Sequence, residues 1–251
     1  MKPLISIITV CKNSEEFIQS CIKSVVEQDF TNFEYIVIDG GSTDQTVNII
    51  KQYDKYIKYW HSKEDSGLAE AFNNGFKNSN GSWILYLNSD DIFSNINSLS
   101  KMAPFLMENQ DSDVVMGQVD VVTREAIPKF IRGPYGSKFK WQKFVIQDTI
   151  PHQSAFINRN FFLKFGLFNE KLRIAVDYEH FLRCGKKIKV ANVPFKISLM
   201  RDGGLSQDNL IATIRDWHKA RVLSGNVNRL FSLLIMQYQL MKLKISEILR
   251  K

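Results

Sequence analysis

Gly81-Ser82-Trp83-Ile84-Leu85-Tyr86-Leu87-Asn88-Ser89-Asp90-Asp91 is the stretch that decides how this chain is read. From Trp83 to Leu87 it is apolar with no alternation, the pattern of a strand buried on both faces of a parallel sheet. It then breaks into an amide, a hydroxyl and two adjacent carboxylates. Ligands of open α/β sheets bind beyond the carboxyl ends of strands. Two neighbouring acids there repel unless a cation or a proton lies between them. Mg²⁺ is typically held by one or two carboxylates together with substrate phosphates. Asp90 and Asp91 are therefore candidate metal ligands, although Asp-Asp also occurs in ordinary turns and helix caps.

The chain upstream supplies the sheet. Leu4 to Val10 is a short β-branched run, followed by a helix starting near Ser14, with Phe17, Ile18, Cys21, Ile22, Val25 and Val26 at helical spacing. A second strand, Phe33 to Ile38, closes on Asp39-Gly40-Gly41-Ser42, and a helix carries Val47, Ile49 and Ile50. A third strand, Ile57 to Trp60, meets Glu64-Asp65-Ser66-Gly67, and the helix from Leu68 to Phe76 leads into the quoted stretch. This β-α alternation with short connections implies a mostly parallel, Rossmann-like α/β sheet with helices on both faces.

Downstream the pattern is looser. A helix over 99–107, strands over 113–117 and 119–123, a helix from Arg159, a partly buried helix near 174–183 and closing strands over 190–193 and 195–200 are predicted. Residues 128–150, with Pro128, Gly133, Pro134 and Gly136, read as a mobile loop or irregular insertion. Arg201-Asp202-Gly203-Gly204-Leu205-Ser206 is a Gly-rich turn ahead of a helix, a candidate phosphate-covering flap. The expected division is a domain over 1–225, with a nucleotide-binding half (1–117) and an acceptor half (118–225), followed by a basic amphipathic helical tail over 226–251.

With 251 residues, 44% of them hydrophobic, the chain has enough apolar surface for one large folded core. A net charge of +7 and a pI near 9.2 favour anionic partners. Nucleic-acid binding has only this charge in its favour, and none is expected. Three scattered cysteines, Cys11, Cys21 and Cys184, have no CxxC spacing, which points to reduced thiols in a cytoplasmic setting and away from zinc. Met1-Lys2-Pro3 runs straight into a strand with no apolar leader block, and no stretch of about 18 uncharged apolar residues marks a spanning helix.

The four strand ends, Thr9-Val10-Cys11-Lys12-Asn13, Asp39-Gly40-Gly41-Ser42, Glu64-Asp65-Ser66-Gly67 and Asn88-Ser89-Asp90-Asp91, open on one edge of such a sheet. GxxxxGK[ST] is absent, and the first turn carries no glycine for a GxGxxG fingerprint. A metal on paired carboxylates can neutralise a diphosphate without a glycine cradle, which fits a nucleoside diphosphate linked to a transferable group.

The ordered series resembles family 2 glycosyltransferases of the GT-A fold, of the kind that build bacterial surface polysaccharides. It comprises Ile7 to Asn13, Ile38 to Thr46, Glu64 to Asn73, Gly81 to Asp91, His152-Gln153-Ser154-Ala155-Phe156 and Asp177-Tyr178-Glu179. The resemblance covers roughly residues 4 to 206. It implies an inverting transfer from a nucleotide-sugar donor, with UDP expected, to a glycan or lipid-linked acceptor, assisted by Mn²⁺ or Mg²⁺. It implies that Thr9, Val10, Asn13, Asp39 and Asp65 hold the nucleotide, Asp39 through the base edge. Asn88, Ser89 and Asp90 would meet the donor, and Asp91, supported by Asp90, the metal; Asn88 stands where the motif has an acid. Asp177 aligns with the base that deprotonates the acceptor, with Glu179 as its competitor. His152 and Arg201 are further candidates near the diphosphate.

Two other readings stay open on the residues alone: an inactive nucleotide-sugar-binding or scaffold relative, and a nucleotidyltransferase. The tail, with Arg229, Lys242, Lys244, Arg250 and Lys251 among leucines, is expected either to contact an anionic membrane from the cytoplasmic side or to pack against the domain or a second subunit.

Overall fold

The computed structural model describes residues 2–133, 139–147, 149–204, 206 and 209–249. Pro134, Gly136, Leu205, Arg250 and Lys251 lie outside the described residues.

Four parallel strands form the first half: β1 (Ile5–Cys11), β2 (Phe33–Asp39), β3 (Tyr59–Ser62) and β4 (Trp83–Tyr86), in the order β3-β2-β1-β4. They alternate with helices α1 (Ile18–Val26), α2 (Thr46–Gln52) and α3 (Leu68–Lys77). Side chains on a strand point to opposite faces in turn, and the core divides accordingly. Ile8, Val10, Ile36, Ile38, Ile84 and Tyr86 pack on one face with Phe72 and Phe76 of α3. Ile5, Ile7, Tyr35, Val37, Trp83 and Leu85 pack on the other with Cys21, Ile22 and Val25 of α1. Each fully buried side chain of this size contributes about 1.5–3 kcal/mol relative to exposure. That is why these strands read as unbroken apolar runs. Helix α3 sits close on the sheet because it carries Gly75, where a Cβ would come within 2.3 Å of Ile8 Cγ2.

The second half continues the same sheet. β4 pairs antiparallel with β8 (Ala155–Asn158), β8 antiparallel with β6 (Val114–Val122), and β6 parallel with β9 (Val190–Arg201). The edges are β5 (Ile92–Phe93) on β9 and β7 (Pro128–Arg132) on β6. Helices α4 (Ser98–Glu108), α5 (Trp141–Ile146), α6 (Arg159–Phe165) and α7 (Val176–Leu182) complete the layers.

Three expectations are corrected here. The predicted strands over 113–117 and 119–123 are one, and so are 190–193 and 195–200. Gly117 and Pro194 do not end strands; the β6–β9 register shifts between Met116↔Asn192 and Gln118↔Lys196, so a bulge absorbs both. A glycine is required because a Cβ at 117 would lie 2.8 Å from the Phe195 carbonyl, and proline in a sheet is tolerated at such a bulge. Part of 128–150 is regular structure rather than loop, namely β7 and α5.

α8 (Leu210–Leu223) and α9 (Arg229–Leu249) follow the sheet. α9 packs on α8 through Ser232 and Ile235, which are buried. Arg221 of α8, 0% exposed, donates to Ser232 Oγ and to the Val145 carbonyl and contacts Gln239. Leu230, Phe231, Leu234, Tyr238, Met241 and Ile245 of α9 remain exposed.

Candidate active site

The carboxyl ends of β1 and β4 open into a cleft of ≈ 700 Å³. Its walls include Val10 to Ser14, Asp65, Asn88 to Asp91, His152 and Gln153, Asp177 and Arg201. Residues separated by more than 160 positions thus meet at one sheet edge.

The quoted stretch turns sharply after β4. Asp91 N donates to the Asn88 carbonyl at 3.0 Å, placing both carboxylates beside the end of β1. Asp91 is 1% exposed, and neither of its oxygens has a hydrogen-bond partner among the described residues. The Arg201 backbone N–H and the Gln153 side chain approach it outside hydrogen-bonding geometry, and they and the Arg201 charge act to lower its pKa. Burial, then the charge of Asp90, pushes its pKa well above the carboxylate range. Burial also raises Asp90, while His152 and Arg201 pull the other way. Arg201 reaches back to donate to the Asp90 carbonyl and stacks over Phe17, 4.7 Å from the ring centroid. A buried carboxylate with both oxygens unpaired is costly, and a hard divalent cation relieves it. No set of three His, Cys, Asp or Glu side chains converges as a closed metal cage among the described residues. The donor set suits a cation that completes its shell with phosphate and water.

Facing this pair is a chain of hydrogen bonds. Asn88 Nδ2 lies 3.0 Å from His152 Nε2, and His152 Nδ1 lies 3.0 Å from Asp177 Oδ2. With the amide donating to Nε2, the ring proton sits on Nδ1 and is donated to the carboxylate. Burial pushes the Asp177 pKa up, but the hydrogen bonds from His152 and from the Tyr178 backbone N–H outweigh it and hold the pKa below the usual range. Asp177 is thus an ionised carboxylate at the cleft wall, a suitable proton acceptor.

Other expected residues are placed differently. Glu179 is 1% exposed and accepts two hydrogen bonds from Arg183 at 2.8 and 2.6 Å. It faces the core, so it is not a competing base. Thr9 is buried with Oγ1 accepting from Tyr35 Oη at 3.0 Å; its side chain turns away from the cleft. Asp39 is 0% exposed, with its carboxylate accepting from Ser42 N, Ser42 Oγ and Ser62 Oγ. It ties the end of β2 to that of β3. Asp65 does face the cleft, its carboxylate lying over Gly40, where a Cβ would meet Oδ2 at 2.7 Å. Burial raises its pKa despite the Gly67 N–H and Lys12. Asn13, at φ 49°, accepts from Thr43 N and joins the first two loops, and Ser89 donates to Ser14.

Sequence reasoning missed Lys12, Arg124 and Arg132, cations of the cleft, and Trp217 of α8, which lines it. The net positive charge was the one signal for the cations. At the suggested flap, Asp202 is ion-paired with Lys129 of β7, and Gly203 and Gly204 line the cleft.

Residues 6–169 match the model of the family described as glycosyl transferase family 2. The match stops short of Asp177. A PGL/p-HBAD biosynthesis glycosyltransferase of Mycobacterium tuberculosis is 30% identical over 185 residues, covering 72% of this chain and 70% of that protein. Among solved structures, residues 1–349 of S. aureus TarS in complex with UDP-GlcNAc superpose with a TM-score of 0.71 at 20% identity, covering 96% of this chain and 72% of that one. The mannosyltransferase PcManGT from Pyrobaculum calidifontis, in complex with GDP-Man and Mn2+, gives 0.64 at 13% identity, covering 96% and 75%. These likenesses show the GT-A fold.

Proposed function

This chain belongs to glycosyl transferase family 2, and from that premise we propose that it is an inverting transferase. It moves a sugar from a nucleoside diphosphate, UDP in this reading, to a hydroxyl of a glycan or lipid-linked acceptor. The observation that carries the proposal is that Asp177, ionised and cleft-facing, shares one cavity with Asp90 and with the buried, unpaired carboxylate of Asp91.

Each group then has one task. Val10, Asn13 and Asp65 line the nucleotide side, and Lys12, Arg132 and Arg201 supply positive charge for the diphosphate, while Arg124 is paired with Glu16. Asp91, supported by Asp90, would hold the cation. When bound, Mn²⁺ or Mg²⁺ offsets charge growing on the leaving diphosphate, worth several kcal/mol in such sites. Asp177 takes the acceptor hydroxyl proton as the new C1–O bond forms and the bond to the diphosphate breaks, its electron pair leaving with the phosphate oxygen. A single displacement inverts the anomeric centre. The complexes of TarS with UDP-GlcNAc and UDP support the UDP reading, and the Mn2+ in that of PcManGT supports the metal.

Thermal-shift titration with a panel of UDP-, GDP- and dTDP-sugars, each with Mn²⁺ or Mg²⁺, tests the donor. A UDP-sugar should give the largest rise, and that rise should vanish in EDTA. A metal-independent response, or an Asp91→Ala enzyme of full activity, overturns the metal assignment.

The tail carries a second element of the proposal. At about 100° per residue, Leu230, Phe231, Leu234, Tyr238, Met241 and Ile245 fall within one arc of α9, with Lys242 and Lys244 on its two shoulders. An apolar stripe flanked by lysines suits the surface of an anionic bilayer, where the lysine stems snorkel. In a parallel pair of such helices the like charges would repel. No helix among the described residues is long and apolar enough to cross a membrane. Flotation with phosphatidylcholine vesicles containing phosphatidylglycerol should recover the protein, and Leu234→Glu/Tyr238→Glu should not float. If that variant floats normally but a dimer dissociates in light scattering, the face belongs to a second copy.

A further inference from the structure

His152 does not belong to the quoted strand, yet its side chain joins the carboxylate end of the cleft to Asp177. Both ring nitrogens are engaged, Nε2 with Asn88 and Nδ1 with Asp177. That leaves neither free to take a proton from an acceptor, so the ring is not itself the base. Its body is fixed by an edge-on contact with Phe72, ring centroids 6.4 Å apart. Asp177 is fixed in turn, since Oδ1 accepts from Tyr178 N at 2.8 Å and Oδ2 from His152. At the far end of the chain Asn88 Oδ1 is buried with no partner among the described residues, a vacant acceptor beside Asp90 and Asp91.

We infer that His152 is the positioning residue of the transfer, holding Asp177 in its proton-accepting geometry and tying that geometry to the donor through Asn88. A hydroxyl of the bound donor that donates to Asn88 Oδ1 fixes the amide. The amide fixes Nε2, and Nδ1–H fixes the carboxylate. The base is therefore best ordered when the donor is in place. The inference rests on the reading of Asp177 as the base, and it adds a role for a residue outside the acidic motif. Misplacement of a reacting group by about 1 Å costs roughly 10²-fold, which is the size of effect expected from losing one link. Two other titratable groups sense this pair: Asp90 faces His152, and His180 on α7 senses Asp177.

The experiment compares His152→Phe, His152→Gln and Asp177→Asn in steady state, following UDP release from the UDP-sugar that gives the largest thermal shift. Phenylalanine keeps a ring against Phe72 and removes both hydrogen bonds; glutamine can still donate to Asp177. His152→Phe should lower kcat about 10²-fold with donor KM changed less than about threefold. The acid limb of its kcat/KM profile should move to higher pH, because burial of Asp177 is then opposed by fewer donors. His152→Gln should recover about tenfold of the loss. A His152→Phe enzyme with wild-type kcat and an unmoved acid limb, beside an inactive Asp177→Asn, overturns the positioning role and leaves the base intact. Turnover retained in Asp177→Asn overturns the base assignment instead. If His152→Phe melts early, Asn88→Ala cuts the other end of the chain, and it too should lower kcat and broaden the pH profile.

Discussion

Asp91 has two oxygens, no hydrogen bond to either among the described residues, and a like charge next to it. A fold keeps such a group only if something outside the chain completes it. Without metal the carboxylate is a liability, so Asp91→Asn should raise the melting temperature in EDTA, by about 2–4 °C for each kcal/mol relieved. The same variant should lose the further rise that Mn²⁺ gives the wild type. Differential scanning with and without Mn²⁺ checks both; an Asp91→Asn protein less stable in EDTA would mean that the carboxylate is structural. Glu179 gives the opposite signature. Its pairing with Arg183 is buried, so Glu179→Gln should cost about 2–3 kcal/mol of stability while kcat per folded molecule stays near wild type. Urea unfolding beside turnover measures the split. Two acids two residues apart are thus separated by which way the helix turns them.

The helix that presents Asp177 also buries His180, and this sets how the element responds to pH. His180 Nε2 donates to the Gly166 carbonyl at 2.8 Å, and its ring packs among Phe161, Phe162 and Phe168. Burial, with Arg183 nearby, lowers its pKa from 6.5 to about 3. Between those values the unfolded chain binds a proton that the folded chain refuses. Stability contributed by the neutral ring is therefore full above about pH 6.5 and lost as pH falls toward 3, at about 1.4 kcal/mol per unit. His180→Gln, which keeps a donor for Gly166, should flatten the acid limb of stability against pH between 6 and 4; an unchanged limb would sink this account. β1, β2 and β4 were legible because burial on both faces demands unbroken apolar runs, such as Ile36 to Ile38, whereas the partly exposed edge strand β3, expected over 57–60, lies at Tyr59–Ser62. Gly117 and Pro194 misled because a bulge uses the same residues as a strand end. The placement of Asn88 to Asp91 in the cleft was legible because one loop carries them all. The bond from Ser62 to Asp39 was not, since it comes from another strand, and neither was the pairing of His152 with Asp177, 25 positions apart. Such contacts are set by packing and leave no periodic trace.

At the scale of the whole molecule the question is what the last helix does for the first. α9 has two faces with different duties. One, through Ser232, Ile235 and Gln239, covers α8 over the buried Arg221. That guanidinium also donates to the Val145 carbonyl and lies 3.5 Å from Tyr178 Oη, whose neighbour in the chain is Asp177. Its hydrogen-bonding partners here are neutral oxygens, so removing part of the set leaves a charge poorly solvated in the interior. Deletion of residues 226–251 should therefore cost about 3 kcal/mol or more. It should also lower kcat through Tyr178 and α7, even with a soluble acceptor and no membrane present. The other face, with Leu230, Phe231, Leu234, Tyr238, Met241 and Ile245, is exposed, so Leu234→Glu/Tyr238→Glu should leave the melting temperature within about 2 °C of wild type. That variant should lose activity only when the acceptor is presented in anionic vesicles. Melting curves and turnover on soluble and vesicle-borne acceptors separate the faces. A truncation that melts and turns over as the full chain does would show that α9 is an appendage; a Glu variant that fails on both acceptors would show that its outer face supports the fold.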